Sequence, residues 1–432
     1  MIKKRQLCFV IVILAMAAGI SAQSRSFVTA KDGSFYVNGR NYRFVGANYW
    51  YGSLLGLEKD KKRGIERLRK ELDFLRSQGI TNLRLLGGAE GTGQLNGVTR
   101  VGPPLQPEQG KFDESVLDGL DIVLAEMAKR KMKAVIFLSN NWEWSGGFQQ
   151  YLIWNGLVPS KWLSQKPSWD ELRDIVAKFY TCEPCKNGYR KQAELIIGRK
   201  NRLSGKPYID DPTIMAWELA NEPRPMRPAA NIAYRQWIAD TSAMIKSKDK
   251  NHLVTLGHEG YIGTEDIKLF EDVHSDAKVD YLTIHIWPKN WSWFAAGKLA
   301  EGLAGVESKT AKYIEENSAV AQKLNKPLVL EEFGLPRDGE SFDPRSTTKS
   351  RDAYYESVLS NIGTRNIAGA NFWAFGGTAR PKPGQTFWLA GDDRMGDPPM
   401  EEQGLNTVFD SDSSTWAVIR KHSARAAAAA KR

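Results

Sequence analysis

The stretch Thr213-Ile214-Met215-Ala216-Trp217-Glu218-Leu219-Ala220-Asn221-Glu222-Pro223 decides how the rest of the chain is interpreted. It is an apolar run of the length of a buried strand. Because proline cannot donate to a sheet ladder, we expect the strand to stop at Pro223. An amide and a carboxylate, Asn221 and Glu222, then stand at its carboxyl end. In a parallel α/β barrel, that end carries the catalytic residues.

The same pattern recurs along the chain. Apolar runs that end in polar or aromatic residues alternate with segments in which leucines follow helical spacing, such as Leu68, Leu72 and Leu75. Near-continuous apolar runs are typical of strands buried on both faces. Eight alternations predict a (β/α)8 TIM barrel, an α/β fold. The predicted runs are 44–50, 81–86, 134–141, 214–222, 253–259, 281–287, 328–333 and 370–375.

We expect one catalytic domain over residues 23–423. Residues 1–22 combine a charged start with a short apolar stretch, which is typical of a signal peptide and predicts a secreted or periplasmic protein. Turn dipeptides near the start of the catalytic domain predict a short N-terminal β-hairpin that could plug the bottom of the barrel. Two long loops at the C-terminal face, 140–212 and 376–406, should carry substrate contacts. Residues 424–432 form a low-complexity tail that we expect to fray.

The composition narrows the range of partners. The formal charge is +10, part of it at the termini, and the interior has no dense stripe of Lys and Arg. The basic cluster 59–63 fits a solvated helix start better than a nucleic-acid footprint. No later segment is long and apolar enough to span a membrane. We expect a monomer that binds neither nucleic acid nor a membrane, and its 14 Trp offer flat faces suited to sugar rings, although Trp also fills cores.

Two cysteines of the mature chain, Cys182 and Cys185, have three readings. A zinc half-site is disfavoured because there is no second cysteine pair and the chain has only five His. A redox motif needs a strand-to-helix context that the preceding residues do not give. We favour a small disulfide in an exported loop. We expect no metal and no cofactor.

Glu222 and Glu332, which end the fourth and seventh runs, should face each other across the barrel mouth. Two carboxylates across a cleft are the minimum set for hydrolysing a glycosidic bond, one protonated and one ionised. The alternative is two ordinary acids on a solvated rim, but polar and aromatic residues at other strand ends favour a site. Glu331 competes with Glu332; since neighbouring strand residues face opposite ways, only one should reach the mouth.

Other residues should support this pair. Arg84 lies mid-strand, and a buried guanidinium needs an anion; Glu332 is the expected partner, and the pairing would keep it ionised. His285 should position one glutamate or bind sugar hydroxyls, with a structural histidine as the alternative. Trp373 suits a floor under a sugar ring, and Glu259 is expected to contact substrate or support the site.

Together these residues resemble glycoside hydrolase family 5, and within it the endo-β-1,4-mannanases, over essentially the whole mature chain. The pair Asn221-Glu222-Pro223 and Glu332-Phe333-Gly334 is specific to the family and its relatives. The resemblance implies a retaining double displacement with Glu222 as acid/base and Glu332 as nucleophile. Further matching segments are 35–39, 140–142 with Gly146-Gly147, 217–224, 259–261 and 283–288.

The resemblance also implies roles for supporting residues. Asn221 would bond the sugar 2-hydroxyl and Arg84 would orient the nucleophile. Where the family usually has Tyr two residues after the strand-six His, this chain has Trp287, whose indole N–H donates but cannot accept. The remaining residues expected at the substrate are Asn141, Trp142, Glu259, His285, Trp287 and Trp373.

The expected function is endo-acting hydrolysis of β-mannan, whether mannan, glucomannan or galactomannan. A β-1,4-glucanase of the same fold is an alternative, because the sequence does not display the preference for an axial or equatorial 2-hydroxyl. A catalytically silent glycan-binding barrel is a second alternative, and the two intact glutamates argue against it.

Overall fold

The computed structural model describes residues 27–429. The predicted signal peptide at 1–22 lies outside them. Of the predicted tail, residues up to Ala429 belong to the last helix and 430–432 lie outside the described part. No helix among the described residues is long and apolar enough to cross a bilayer.

Eight parallel strands form one sheet that curls into a nearly closed barrel, so the predicted fold is confirmed. In the described chain the strands are β1 (Val28–Lys31), β2 (Ser34–Val37), β3 (Arg40–Tyr42), β4 (Phe44–Asn48), β5 (Asn82–Leu86), β6 (Gln94–Leu95), β7 (Val98–Thr99), β8 (Lys133–Phe137), β9 (Ile214–Glu218), β10 (Leu253–Thr255), β11 (Leu282–Ile286), β12 (Leu328–Phe333), β13 (Ile367–Phe372), β14 (Phe375–Gly377) and β15 (Val408–Phe409). The barrel strands follow the chain around the ring, with ladder order β10-β9-β8-β5-β4-β13-β12-β11.

Helices surround the sheet, and the predicted leucine spacing forms the buried face of the first one. Its Leu68, Leu72 and Leu75 are buried, and it starts after Asp60, whose side chain accepts the backbone N–H of Arg63. Over residues 27–429 the α-helices are α1 (Lys61–Ser77), α2 (Leu117–Lys129), α3 (Gly147–Trp154), α4 (Trp169–Val176), α5 (Glu183–Ile197), α6 (Asn231–Lys248), α7 (Tyr261–Thr264), α8 (Ile267–Ser275), α9 (Leu299–Leu324), α10 (Lys349–Leu359) and α11 (Ser413–Ala429).

The seam between β10 and β11 is held by side chains as well as by the backbone. The Thr255 hydroxyl donates to the carbonyl of Tyr281 at 3.0 Å. The Thr283 hydroxyl accepts the backbone N–H of His258 at 2.6 Å and lies 3.0 Å from its carbonyl. The backbone N–H of His285 donates to the carbonyl of Glu259 at 3.0 Å. These bonds link the two strands up to the level of the barrel mouth.

The N-terminal segment forms three antiparallel strands, β1 to β3, where the sequence predicted a two-stranded hairpin. Its Val28 and Phe35 are buried against residues at the amino ends of the barrel strands, among them Phe44, Met215 and Val329. The small sheet therefore covers the bottom of the barrel, as predicted.

Several predicted boundaries were wrong. The fourth run was expected to be strand as far as Glu222, but β9 ends at Glu218. The backbone nevertheless stays bonded to its neighbours, since Asn221 donates to Ser139 at 2.8 Å and Glu222 to Gly257 at 2.8 Å. The eighth strand is 367–372 instead of 370–375, because Ile367 already pairs with Leu328 of β12.

The connection after the third barrel strand, predicted as a long loop over 140–212, contains three helices, α3 to α5. Phe148, Tyr151 and Tyr189 of these helices are buried in the same hydrophobic cluster as the barrel strands, so the connection packs directly against the barrel. The disulfide between Cys182 and Cys185 is present, at the start of α5 instead of within a loop.

Candidate active site

A cleft of about 610 Å³ opens at the carboxyl ends of the barrel strands. Seven of the ten predicted site residues line it: Trp142, Asn221, Glu222, Glu259, Trp287, Glu332 and Trp373. Arg84 and His285 lie beneath the lining and contact its carboxylates. Asn141 is buried beside Trp142, but its side chain has no hydrogen bond and does not line the cleft.

Glu222 is held by an unusual backbone conformation. Its φ is +51°, in the left-handed region that non-glycine residues seldom adopt. In this position Oε2 accepts the indole N–H of Trp142 at 2.5 Å. Oε1 lies 2.7 Å from Nδ1 of His285. Local strain at a residue so closely held by its surroundings is typical of functional sites.

Glu332 is surrounded by stronger donors. Its Oε1 accepts from the Arg84 guanidinium, the ion pair that the sequence predicted. Its Oε2 accepts the indole N–H of Trp287 at 3.2 Å. Trp287 thus donates to this carboxylate, as expected for an indole at the family's tyrosine position.

Arg84 uses all five of its N–H donors, and every acceptor is a side chain of the barrel interior. Glu218 takes two of them, at 2.8 Å from Nε and 2.5 Å from Nη2. Asn221 accepts at 2.7 Å, Asn48 accepts at 3.1 Å, and Glu332 accepts the fifth. A guanidinium with this pattern is fixed in one orientation. Sequence pattern did not single out Glu218, which lies in the buried part of β9.

The two cleft carboxyls differ in their electrostatics. Burial raises the pKa of Glu222, and the charge of Arg224 only partly opposes the rise. Burial also raises the pKa of Glu332, with Arg84 as the first opposing influence. Two carboxyls this close are expected to hold one proton between them. Because only Glu332 accepts a hydrogen bond from a guanidinium, we assign that proton to Glu222. Burial lowers the pKa of His285 to about 4, so this imidazole is neutral near pH 7.

The carboxyls are close together. Ligand atoms of Glu222, His285 and Glu332 all lie within 4.8 Å of one another. Among the described residues this group has the spacing of a metal site, but the guanidinium of Arg84 and two indole N–H groups already bond these carboxylates, and the guanidinium charge would repel a cation. The separation matches the short distance of retaining glycosidases, about 5–5.5 Å, and is below the 6.5–9.5 Å of inverting ones.

One wall of the cleft is an ion pair between aromatic rings. Arg224 forms a two-pronged salt bridge with Glu259, including an Nη2–Oε1 contact of 2.5 Å. Its guanidinium lies 5.2 Å from the ring of Trp142 and 5.6 Å from that of Trp169. The sequence identified Glu259 but not Arg224, although Arg224 stands two residues after Glu222. Its basic charge next to that motif was the available signal.

The two long connections both reach the cleft, as predicted. The connection 140–212 supplies Lys166 and Trp169 in addition to Trp142. The connection 376–406, which follows the eighth barrel strand and is called the eighth loop, supplies Met400, Glu401 and Asn406. Burial, with further repulsion from Asp397, raises the pKa of Glu401 well above its usual range. None of these eighth-loop residues was singled out from the sequence.

Comparison with known proteins gives consistent results. A sequence profile described as GH family 5 beta-mannosidase-like matches residues 25–431. A mannan endo-1,4-beta-mannosidase of Oryza sativa subsp. japonica is 28% identical, covering 92% of this chain and 85% of its own. A family 5 mannosidase from Rhizomucor miehei superposes with a TM-score of 0.83 at 31% identity, covering 94% and 99%. An endo-β-1,4-mannanase from Thermotoga petrophila gives 0.65 at 25% identity, covering 90% and 78%.

The barrel and its paired carboxylates define a glycoside hydrolase of the (β/α)8 class. The chain belongs to glycoside hydrolase family 5, in the group with β-mannosidase-like members.

The segment after β10 makes a testable contribution to the site. Gly257 has a φ of +76°, and a Cβ there would lie 2.0 Å from Oε1 of Glu218 and 2.2 Å from the carbonyl of Ala220. We expect Gly257→Ala to cost about 1–2 kcal/mol for the left-handed backbone plus about 1–3 kcal/mol for the clash, and to lower activity by displacing Glu218. Chemical denaturation and steady-state kinetics measure both effects.

Gly297→Ala is the matched control. Gly297 has a φ of +70° and open space around its missing Cβ. It should show only the backbone cost, with activity retained. Equal destabilisation by the two substitutions would contradict a specific role for Gly257 in seating Glu218.

Proposed function

We propose that this protein hydrolyses internal β-1,4-mannosidic bonds of mannan, glucomannan or galactomannan with retention of the anomeric configuration. The observation that carries the proposal is the unequal surroundings of two close carboxyls. Glu332 bonds a guanidinium, whereas Glu222 bonds a neutral indole and a neutral imidazole. One carboxyl is thereby suited to be an ionised nucleophile and the other to be a proton donor.

In the first step Glu332 attacks the anomeric carbon, and the bond to the leaving sugar breaks. Glu222 donates its proton to the departing oxygen, which leaves as a hydroxyl. The product is a glycosyl ester on Glu332. Because Glu332 gives up its negative charge here, Arg84 must hold the carboxylate in line without binding it so tightly that attack is prevented.

In the second step Glu222, now ionised, takes a proton from a water molecule, and that water attacks the anomeric carbon. The ester bond breaks and Glu332 recovers its charge. Trp142 and His285 stabilise Glu222 in both protonation states, since the indole always donates and the imidazole can accept or donate. We assign the bond to the sugar 2-hydroxyl to Asn221, whose side chain is held by Arg84 and by Asn140.

The choice of β-mannan is supported by the relatives. The Oryza sativa relative and one from Arabidopsis thaliana, which this chain matches over 85% and 82% of their own lengths, are named mannan endo-1,4-beta-mannosidases. An exo-acting β-mannosidase is a second candidate, favoured by the higher TM-score of the Rhizomucor mannosidase, 0.83 against 0.65 for the Thermotoga mannanase. The two modes would differ in the open length of the cleft. The eighth loop, which brings Glu401 to the cleft, is the element that would set this length.

A product profile tests the proposal and separates the two modes. On mannohexaose and on galactomannan, an endo enzyme should release mixed oligosaccharides and lower viscosity before much reducing sugar appears. NMR should show the β-anomer first. Release of mannose alone would assign the exo mode, and hydrolysis of carboxymethylcellulose without mannan would overturn the substrate.

Substitution separates the two carboxyl roles. We expect Glu222→Gln to lower kcat/KM by about 10²–10⁴-fold on mannan but far less on an aryl β-mannoside whose leaving group needs no proton. Its kcat should fall on both substrates, because hydrolysis of the glycosyl ester still needs Glu222 as base. Glu332→Gln should lose both activities, because no bond to the anomeric carbon can form. Glu301→Gln, on the exposed start of α9, is the matched control. Equal losses of kcat/KM on both substrates in Glu222→Gln would remove the acid role.

The pH dependence follows from the same assignment. Activity requires Glu332 ionised and Glu222 protonated, so kcat/KM should fall at low pH as Glu332 gains a proton and at high pH as Glu222 loses one. Burial raises the pKa of Glu222, so the alkaline decline should begin above the range of an exposed glutamate, about 4.3. On the activated aryl mannoside, Glu222→Gln should abolish the alkaline decline and keep the acid one; an alkaline decline that persists would belong to another group.

A further inference from the structure

Three carboxyl groups surround one guanidinium below the cleft. Glu218, Glu331 and Glu332 all form ion-pair contacts with Arg84, at 2.5 Å for Glu218 and 3.7 Å for Glu331, and their side chains are at most 3% exposed. If all three were ionised, the interior would hold two uncompensated negative charges. Since such charges are strongly unfavourable away from water, a buried carboxyl in this position takes up a proton.

Hydrogen bonding indicates which of the three carries it. Glu218 accepts two N–H groups of Arg84 at 2.8 and 2.5 Å, the pattern of an ionised carboxylate. Glu332 accepts from Arg84 and from Trp287. Glu331 accepts no hydrogen bond from Arg84, and its Oε2 has no hydrogen-bond partner among the described groups. Glu331 therefore has the least support for a negative charge.

A β-bulge explains how Glu331 comes to be inside the barrel. Ile284 of β11 pairs with Leu330, and the next residue, His285, pairs with Glu332, so Glu331 is the extra residue of β12. Bulges re-aim side chains and break the alternation of faces. The sequence-based argument that Glu331 and Glu332 face opposite ways fails here, although only Glu332 lines the cleft.

The groups around Glu331 come from several strands. Its backbone carbonyl accepts from the side chain of Asn48 at 2.9 Å. Its Oε2 lies 3.5 Å from Nε2 of His285. Burial, and next the charge of Glu218, raise the pKa of Glu331, while Arg84 and then His285 oppose the rise. The charged and titratable groups that face it are Arg84 on β5, Glu218 on β9, Tyr281 and His285 at β11, and Glu332 on its own strand.

We propose that Glu331 is a neutral carboxylic acid beneath the nucleophile and acts as a positioning residue: it donates a hydrogen bond to Glu218, so that Arg84 serves two carboxylates instead of three. Burial raises the pKa of Glu218, and Arg84 together with the bond from Glu331 opposes that rise. With Glu331 neutral, Arg84 has only Glu218 and Glu332 to stabilise as anions, so its attraction to Glu332 is not weakened by a third negative charge. The assignment of Glu332 as nucleophile rests on the function proposed above.

Infrared difference spectroscopy tests the protonation state without using activity. Wild type minus Glu331→Gln, and wild type minus Glu331→Leu, recorded at pH 7, should each show the loss of one carboxylic-acid C=O stretch that shifts in D₂O. Circular dichroism and thermal unfolding identify a variant that fails to fold. Loss of a carboxylate stretch in place of the acid stretch would overturn the proposal.

Kinetics on the aryl β-mannoside test the positioning role. Glu331→Leu, which cannot donate to Glu218, should lower kcat by about 10-fold or more with little change in KM, because Glu331 does not touch the cleft. Its acid limb should move to higher pH, since Glu218 then competes more strongly for Arg84. Glu331→Gln, a neutral donor of the same shape, should restore kcat to within about threefold and return the acid limb to its wild-type position.

An ionised Glu331 would give the opposite sign. Both substitutions would then remove an anion next to Glu332, and both acid limbs would move to lower pH. That result would overturn the proposal even if the enzyme hydrolyses mannan. Conversely, an inactive wild type would contradict the proposed function while the infrared result still decides the state of Glu331.

Discussion

The fixed point of this structure is the guanidinium of Arg84, fully buried in the barrel and bonded through every N–H it has. Removing such a cation from water costs several kcal/mol, and only complete bonding to oppositely charged and polar partners offsets the cost. Arg84 lies on β5, and its partners come from β4, β9 and β12 and from the segment after β9. The barrel must therefore close in one register for Arg84 to be tolerated, and that register also brings Glu222 and Glu332 together.

Regular strands alone do not build this site. The bulge in β12 turns Glu331 inward, the left-handed φ of Glu222 directs its side chain to Trp142 and His285, and Gly257 leaves room for the carboxylate of Glu218. Each irregularity sits within a few residues of the carboxylates. A site of this kind places conformational cost where chemistry needs it, and the well-packed barrel around it supplies the stability.

The sequence was sufficient for the barrel, because parallel strands buried on both faces have to be near-continuously apolar. It also predicted the ion pair of Arg84 with Glu332, since a mid-strand arginine needs an anion. It could not identify Glu218, which accepts hydrogen bonds from Nε and Nη2 of the same guanidinium. The bulge at Glu331 depends on pairing with β11. The Arg224–Glu259 pair packs against the rings of Trp142 and Trp169, which come from a different connection of the barrel. Such features are set by tertiary register, which local pattern does not contain.

Trp287 shows how the surroundings separate two chemically identical side chains. A phenol at this position could donate a hydrogen bond to Glu332 or accept one from its protonated form, whereas an indole only donates. Glu332 therefore meets donors at both oxygens, one of them charged, and has no partner that favours its protonated form among the groups that bond it. Glu222 meets His285, an imidazole that is neutral and able to accept. The proton shared by the pair is thus directed to Glu222 by the kinds of atoms that touch each carboxyl, before any difference in their depth of burial is considered.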